Sequence, residues 1–576
     1  MPAHRPAARP RGEPRGGRLG RDRGLPRPRG GRRGGPRGLH ARHPGDLPPP
    51  GRHLQDGRRR RGRGLAAAQR ARRRRAARRG RLHHAARHDR QHQRPGHPDR
   101  RARGEVHPRR RARLSAGNGD DAVTTDARFE GLRAEALRSL AAARADDLNG
   151  FTQVAEEAAV ERELAAALRG GAAGDAEPLG EAALRGRAIA IKDNIHVAGL
   201  RNTAATPALA EFEPDADAPA VERLRRRGMV VIGKTNMHEL ALGVTGSHTA
   251  TGPVVNAVDR ALVTGGSSAG SAVVVASGVC ELSLGSDTGG STRIPAAFND
   301  IWGFRPSTGR YDEEGGTSIA FSRDTIGPMT ASLEGIVALD SALARTADAA
   351  VADVPVARIG YDPADIELCD APVAEAFHAA LEAVAASNGC ELVEAPLDRL
   401  NRVAQSFDPE LAAQELAPSL RSYLGSSERL PSLERVVEEL VDPHVVHMIE
   451  GSLAATSGGV WSGTWHRLMN EMARLRTAYQ RMLGEAGLVA TMRPTTPLLP
   501  RPLAEVLGMS LPERNALFGR TIHFSSFATL MGAPSLSLPL GPLLGRSMTG
   551  VLLETLPGLD VELLSLGRRV EAALRG

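Results

Sequence analysis

Apolar residues recur at helical spacing over 129–140, 158–168 and 218–227, which predicts a helix in each of these segments. Glycine follows each run and commonly marks the end of a helix. Further helical patterns predominate between Val373 and Gly484. The chain therefore has the pattern of a globular protein from about residue 127 onward.

Short and continuously apolar runs predict buried strands over 188–191, 229–232, 282–284, 391–393 and 536–540. Strands that alternate with helices are typical of an α/β fold. About 450 residues, from 123 to 576, contain no obvious linker. We therefore predict a single large α/β domain over 123–576, built around a central mixed β-sheet with helices on its faces.

The charge of the chain is divided unevenly. Residues 1–115 contain 37 Arg and 7 acidic residues, whereas the rest contains 39 basic and 59 acidic residues. The basic segment has almost no Ile, Val or aromatic residues, so it cannot bury enough apolar surface to offset the entropy of ordering. We predict that residues 1–122 form a disordered Arg-rich arm, with at most a frayed helix around 65–79.

Three interpretations of this arm stay open. It could contact nucleic-acid phosphates, but it lacks interleaved aromatic residues for base stacking, so nucleic-acid binding is not expected. It could be a targeting peptide, although it has no apolar core and its Pro and Gly residues break an amphipathic helix. It could also result from a mis-set translation start, with the native start near Val123, because GC-rich DNA read out of frame gives this composition.

Several classes of protein are excluded by simple counts. No apolar run reaches the roughly 18 to 20 residues of a membrane span. The three cysteines, Cys280, Cys369 and Cys390, are unevenly spaced and argue against a disulfide framework. The lack of a disulfide framework predicts a reducing, cytoplasmic environment. No Cys/His cluster has zinc spacing, and we expect neither a metal nor a cofactor.

Lysine usage gives the first indication of chemistry. Of the 76 Lys and Arg residues, only Lys192 and Lys234 are lysine. Arg stays protonated in proteins, whereas a buried Lys can become a neutral base. Lys192 follows the predicted strand 188–191 directly and precedes a turn. It is therefore a candidate base.

Two loops rich in Gly and Ser, over 264–271 and 285–295, enclose one predicted buried segment. Glycine lets a backbone turn sharply and lie against a ligand. Such loops serve phosphate binding, acyl transfer or plain turns, so the loops alone do not decide between these functions.

Together with Ile191-Lys192-Asp193-Asn194, these loops resemble the amidase signature family of serine hydrolases, densely over 187–328 and loosely to the C-terminus. The resemblance implies the amidase signature fold and a Ser–cis-Ser–Lys triad. In this chain Ser291 matches the nucleophile, Ser267 the bridging serine after a cis peptide bond, and Lys192 the base. Ala269 departs from the Gly usual in the family, and we expect its methyl group to be tolerated.

The turn that precedes the nucleophile offers converging backbone N–H groups that suit an oxyanion hole. These groups belong to Thr288, Gly289, Gly290 and Ser291. Asp287 and Arg293 are expected to brace this loop rather than to react, either for catalysis or as an ordinary loop-stabilising pair.

The runs 234–240, 290–293 and 322–329 look like the branch that contains indoleacetamide and mandelamide hydrolases. That resemblance implies hydrolysis of a small primary amide of an arylacetic acid to the acid and ammonia. Candidates for the acyl pocket, which could equally be core residues, are Trp461, Trp465 and Met469. The family also makes a homodimer plausible, and it includes an alternative function, the glutaminase subunit of a tRNA-dependent amidotransferase.

Two other pattern matches compete with this interpretation. Residues 266–270 fit the G-x-S-x-G turn of α/β-hydrolases, with Ser268 as nucleophile of an esterase. A base would then come from His444, His447, His466 or His523, but Lys192 and the second loop stay unexplained.

Residues 228–235 fit the phosphate-loop formula GxxxxGK[ST]. The four middle residues are bulky and mostly β-branched, so we predict a strand here and no nucleotide site. We expect Lys234 to follow the strand end and to hold a loop through Asn236 or Glu239.

Overall fold

The computed structural model describes residues 120–169, 184–344, 356–459, 463–545 and 547–576. The arm predicted over 1–122 lies outside the described residues except for its last three, which are already helical. Trp461 also lies outside them.

A single mixed sheet of eleven strands forms the centre of the described chain. In chain order, the strands are β1 (Phe151–Val154), β2 (Ala188–Lys192), β3 (Val230–Thr235), β4 (Leu282–Asp287), β5 (Trp302–Arg305), β6 (Thr325–Thr330), β7 (Ala357–Tyr361), β8 (Cys390–Glu394), β9 (Ala490–Pro494), β10 (Ser535–Pro539) and β11 (Gly550–Glu554). Their order across the sheet is β1-β3-β2-β4-β6-β5-β10-β11-β9-β7-β8. The predicted strands correspond to β2, β3, β4, β8 and β10, and the predicted α/β fold with a mixed sheet is confirmed.

Helices flank this sheet. Among the described residues they are α1 (Asp120–Arg144), α2 (Glu157–Arg169), α3 (Pro219–Arg226), α4 (Ala269–Ala276), α5 (Arg293–Phe298), α6 (Leu333–Leu343), α7 (Pro363–Glu367), α8 (Ala371–Ala386), α9 (Leu397–Leu424), α10 (Leu433–Glu438), α11 (Pro443–Ala455), α12 (Gly463–Ala486), α13 (Leu503–Gly508), α14 (Leu511–Thr521), α15 (Ser525–Met531), α16 (Gly541–Leu544) and α17 (Asp560–Arg575). The helices predicted over 129–140, 158–168 and 218–227 correspond to α1, α2 and α3. None of the described helices combines the length and the apolar character needed to cross a bilayer.

Strands β3, β2 and β4 are parallel neighbours and place two chemically important segments side by side. Ile191 of β2 pairs with Leu284 of β4, so the carboxyl ends of both strands meet at one edge of the sheet. Ligand sites in α/β proteins commonly lie at that edge. Lys192 therefore ends its strand next to the loop that follows β4.

Burial on both faces fixes the position of β2. All five of its residues are buried, and Ile189 and Ile191 belong to a core that includes Val221 and Leu224 of α3. Parallel strands covered by helices on both faces have continuous apolar runs of this kind. Because β2 is packed on both faces, the side chain at its carboxyl end has little freedom to move.

Lys234 lies inside β3, and the prediction for its partners was wrong. Its Nζ is 3.1 Å from both the carbonyl oxygen of Arg201 and Oδ1 of Asn202, and 3.4 Å from Oδ1 of Asp193. Strand β3 continues in register with β2 through Thr235, so this side chain reaches the turn after β2. Burial lowers the pKa of Lys234 to about 8, although Asp193 opposes that shift. The same strand confirms that 228–235 is not a phosphate loop.

We predict that Lys234→Met lowers the free energy of unfolding by about 3–5 kcal/mol, because it leaves the buried carboxylate of Asp193 without its cation. Denaturant unfolding followed by circular dichroism measures this change. The control is Arg421→Met, since Arg421 and Glu434 form a pair in which both side chains are mostly exposed. That substitution should cost less than about 0.5 kcal/mol, and equal costs for the two variants would contradict the prediction.

Candidate active site

The side chain of Lys192 is fully buried at the carboxyl end of β2. Its Nζ lies 2.8 Å from Oγ of Ser267 and 2.8 Å from Oγ of Ser286. Burial lowers the pKa of Lys192 to about 7, while the carboxylates of Asp287 and Asp324 act in the opposite direction. The amine is therefore poised to exchange a proton near neutral pH.

Ser286 is a contact of Lys192 that the sequence analysis missed. It belongs to β4, and its hydroxyl also accepts a hydrogen bond from Nδ2 of Asn194. The only sequence signal was its position next to Asp287 in the second Gly/Ser loop. Recognising it requires knowing that β2 and β4 are adjacent and parallel, which the sequence does not reveal.

Ser267 joins the two Gly/Ser loops to the lysine. The peptide bond between Gly266 and Ser267 is cis, as the resemblance implies. The next residue, Ser268, donates its N–H to the carbonyl oxygen of Ser291 over 3.1 Å. The loop that carries Ser267 is thus fastened directly to the loop that carries Ser291.

Ser291 is half-buried and follows the turn after β4. Its Oγ makes no hydrogen bond to any residue that the structure describes, including Ser267. Hydrogen bonds of a catalytic relay are often long in a ligand-free site and tighten when substrate binds. The structure therefore brings Lys192 and Ser267 into contact and holds Ser291 on the adjoining loop. It shows no hydrogen bond between the side chains of Ser267 and Ser291.

The oxyanion donors differ in one respect from the sequence prediction. Gly290 donates its N–H to Oδ1 of Asp287 over 2.9 Å, so this group is not available to a substrate. Within the described chain, the N–H groups of Thr288, Gly289 and Ser291 have no such partner. Gly290 has a φ of +123°, and a Cβ atom there would lie 2.2 Å from Oγ of Ser525. Glycine at this position is thus required by shape, not by oxyanion binding.

Asp287 and Arg293 form a fully buried ion pair beneath this loop. Nη2 and Nε of Arg293 donate to the two carboxylate oxygens of Asp287 over 2.9 and 3.0 Å. Although burial opposes it, this pairing lowers the pKa of Asp287 to about 2. Arg305 donates from Nη1 to the carbonyl oxygen of Asp287 over 2.6 Å. Asp287 of this pair also accepts hydrogen bonds from the N–H groups of Gly290 and Thr292.

Among the described residues, Ser268 has no contact that could activate it as a nucleophile. It is fully buried, and its Oγ donates to the backbone carbonyl of Ser286 over 3.2 Å. His523 instead contacts Nδ2 of Asn401 through its Nε2. The α/β-hydrolase interpretation requires a strand that leads directly into Ser268, but the described residues 242–268 contain no strand of the sheet.

Ser291, Thr288 and Gly289 line a cavity of about 470 Å³. Its walls are largely apolar and come from several separate segments. They include Leu242, Ile294, Ile319, Leu416, Phe518 and Ile522. A volume in this range accommodates a small organic ligand.

Trp465 and Met469, the two described residues among those proposed from the sequence for the acyl pocket, are not in this wall. Trp465 donates its indole N–H to Oε1 of Glu415 over 3.1 Å, and Met469 packs with it in the core between α9, α12 and α15. Helix α12 places both side chains against other helices. The cavity wall comes instead from α9, α11 and α14.

In the part of the chain that the structure describes, one cluster of side chains has ligand atoms spaced closely enough to hold a metal ion. Single ligand atoms of His238, His248 and Asp442 all lie within 4.8 Å of one another. Asp442 already pairs with Nε2 of His238 and with Nη1 of Arg514, each over 2.8 Å. Protein groups thus balance the charge of this carboxylate.

Comparison with known proteins defines the class of this one. A crystal structure described as that of an amidase matches with a TM-score of 0.63 and 32% identity, covering 77% of this chain and 95% of that one. The fold is thus that of an amidase. The family model Amidase matches residues 135–564, and the chain belongs to this amidase signature family.

Two curated relatives agree with this assignment. Mandelamide hydrolase of Pseudomonas putida is 34% identical over 445 residues, which cover 74% of this chain and 85% of the relative. Indoleacetamide hydrolase of Allorhizobium ampelinum is 29% identical over 401 residues, which cover 69% and 86% of the two chains. The protein is therefore an enzyme that acts on amide C–N bonds.

We predict that Asp287→Asn lowers the free energy of unfolding by about 3–5 kcal/mol, because Arg293 and Arg305 lose the charge that balances them in the interior. Denaturant unfolding provides the measurement. Glu505→Gln serves as the control, since Glu505 pairs with Arg501 near the surface and its loss should cost less than about 1 kcal/mol. A stability change at Asp287 no larger than that of the control would show that the carboxylate does not balance these cations.

Proposed function

We propose that this enzyme hydrolyses a small primary amide of the arylacetic type to the carboxylic acid and ammonia, through Ser291, Ser267 and Lys192. The observation that carries the proposal is the fully buried Nζ of Lys192, 2.8 Å from Oγ of Ser267. The loop of Ser267 is hydrogen-bonded to that of Ser291, which lines the cavity.

Acylation begins with neutral Lys192. Its Nζ accepts the proton of Ser267 while Oγ of Ser267 accepts the proton of Ser291. Oγ of Ser291 then forms a bond to the amide carbon, and the carbonyl oxygen becomes an oxyanion. Unpaired N–H groups of the loop, such as that of Gly289, stabilise this charge.

Collapse of the tetrahedral intermediate reverses the proton path. Lys192 returns its proton to Ser267, which passes its own proton to the amide nitrogen. The C–N bond breaks, ammonia leaves and the acyl group stays on Ser291. Water then attacks the ester with the same relay as base, which releases the acid and restores the hydroxyl of Ser291.

The cavity supports an arylacetic acyl group. Its volume of about 470 Å³ and its apolar wall suit one aromatic ring system next to the reacting carbon. The similarity to enzymes named mandelamide hydrolase and indoleacetamide hydrolase points to the same class of substrate.

The proposal predicts how activity depends on pH. The pKa of Lys192 is about 7, and only its neutral form accepts a proton. We therefore expect kcat/KM to increase tenfold per pH unit below about 7 and to level off above it. Initial rates of ammonia release from phenylacetamide between pH 5.5 and 9 measure the profile. A rate that falls as the pH rises through 7 would sink the assignment of Lys192 as base.

The residues of the relay are tested by substitution. Ser291→Ala should lower kcat/KM by about 10⁴-fold or more, because the nucleophile is lost. Lys192→Ala should lower it by about 10²- to 10⁴-fold, since the base is lost. Ammonia release from phenylacetamide, indoleacetamide and glutamine, with and without tRNA, gives the readout.

His523→Ala is the matched control for these two variants. It should leave the rates nearly unchanged, because the proposed relay does not use this imidazole. Loss of activity in His523→Ala but not in Lys192→Ala would favour the Ser268 alternative. Glutamine as the only substrate, dependent on tRNA, would favour the amidotransferase alternative.

A further inference from the structure

One charged pair interrupts the apolar wall of the cavity. Nη1 of Arg323 donates to Oδ1 of Asp408, and the two residues are only 5% and 6% exposed. Both line the cavity that Ser291 also lines. Although burial opposes it, Asp408 and Glu415 raise the pKa of Arg323, so the guanidinium stays charged. A buried ion pair in the wall of such a cavity is positioned to bind a polar group of the molecule that occupies the cavity.

Apart from Nε of Arg323, which is sealed inside the protein without a partner, each member of the pair keeps one polar atom unused. Within the described residues, Nη2 of Arg323 and Oδ2 of Asp408 have no hydrogen-bond partner. Neither atom is among the unpartnered polar atoms that are sealed inside the protein. Because both residues are almost fully buried yet line the cavity, these two atoms open onto it. The pair thus offers one donor and one acceptor to whatever occupies the cavity.

Arg323 is connected through its neighbour in the chain to the loop that carries Ser291. Arg323 precedes Asp324, whose Oδ1 accepts a hydrogen bond from Oγ1 of Thr288 over 2.6 Å. Thr288 lies three positions before Ser291 and lines the same cavity.

Asp408 is connected to the same loop through a second set of hydrogen bonds. Asp408 lies on α9 one turn after Gln405, whose Nε2 donates to Oγ of Ser526 over 3.0 Å. The adjacent Ser525 donates its hydroxyl to the carbonyl oxygen of Gly289 over 2.8 Å. Both routes connect the pair to the loop that carries Ser291.

We infer that Arg323 and Asp408 bind a hydroxyl group on the carbon next to the scissile carbonyl of the substrate. A hydroxyl both accepts and donates a hydrogen bond, which matches Nη2 and Oδ2. The pair is neutral as a whole, so a neutral polar group is bound without breaking it, whereas an added charge has no counter-ion there. The inference rests on the proposed function and makes the substrate a 2-hydroxy arylacetic amide.

The first test compares three amides that differ by one hydroxyl: phenylacetamide, mandelamide and 4-hydroxyphenylacetamide. The preferred enantiomer of mandelamide should have a kcat/KM at least about tenfold above that of phenylacetamide, because its hydroxyl pairs with charged groups out of water. 4-Hydroxyphenylacetamide should gain no such advantage. Equal values for mandelamide and phenylacetamide, or a preference for the ring hydroxyl, would overturn the inference.

The double variant Arg323→Met/Asp408→Leu removes both members of the pair together, so that neither Arg323 nor Asp408 stays buried without the other. It should bring the ratio of mandelamide to phenylacetamide close to one. The matched control is Arg467→Met/Glu410→Leu. Glu410 lies on the same helix α9 and pairs with Arg467 over 2.7 Å, but both side chains are about half exposed and outside the cavity wall. A control that loses the preference as fully as the cavity variant would overturn the inference.

Binding to Ser291→Ala separates this inference from the proposed reaction. By calorimetry, this variant should bind mandelamide at least about tenfold more tightly than phenylacetamide, since hydroxyl recognition does not need the nucleophile. If the preference holds but the wild type releases no ammonia, the hydroxyl site stands and the proposed function fails. If the wild type hydrolyses both amides but the variant binds them equally, the function stands and the hydroxyl site fails.

Discussion

The exclusion of water from one lysine amine is the constraint on which the rest of the site depends. Desolvation is the dominant influence on Lys192, and it outweighs the attraction of two nearby carboxylates. That balance needs a side chain that cannot move toward solvent. The double-sided packing of β2 provides it, because the strand that ends in Lys192 is covered by apolar residues on each face. The fold therefore sets the basicity of the proposed base.

A second constraint is the charge beneath the nucleophile loop. Asp287 accepts hydrogen bonds from the N–H groups of Gly290 and Thr292 and is paired with Arg293. Burial lowers the pKa of the neighbouring Arg305 to about 10 although Asp287 opposes that shift, so these charges depend on one another. A carboxylate that fixes the turn on both sides of Ser291 orients the remaining N–H groups without contacting a substrate. The carboxylate of Asp287 therefore both fixes the geometry of the loop and balances the buried cations.

The sequence predicted those features that depend on local pattern. Continuous apolar runs located β2, β3 and β4, and the scarcity of lysine drew attention to Lys192. Features that depend on which strands are neighbours could not be predicted. Ser286 contacts Lys192 only because β2 and β4 are adjacent, and Lys234 reaches Asp193 only because it pairs with Ile191 near the end of β2. The cavity wall was misplaced for a related reason, since only the packing of the long helices α9 and α12 decides which of them lines the cavity.

The separation of the proposed relay from the cavity wall has an evolutionary consequence. Lys192, Ser267 and Ser291 come from one stretch of about 100 residues, whereas much of the wall comes from helices that follow it by more than 100 residues. Substitutions in those helices can change which molecule enters the cavity without altering the residues of the proposed relay. Such an arrangement lets the substrate specificity of related enzymes diverge while the residues of the proposed relay stay the same.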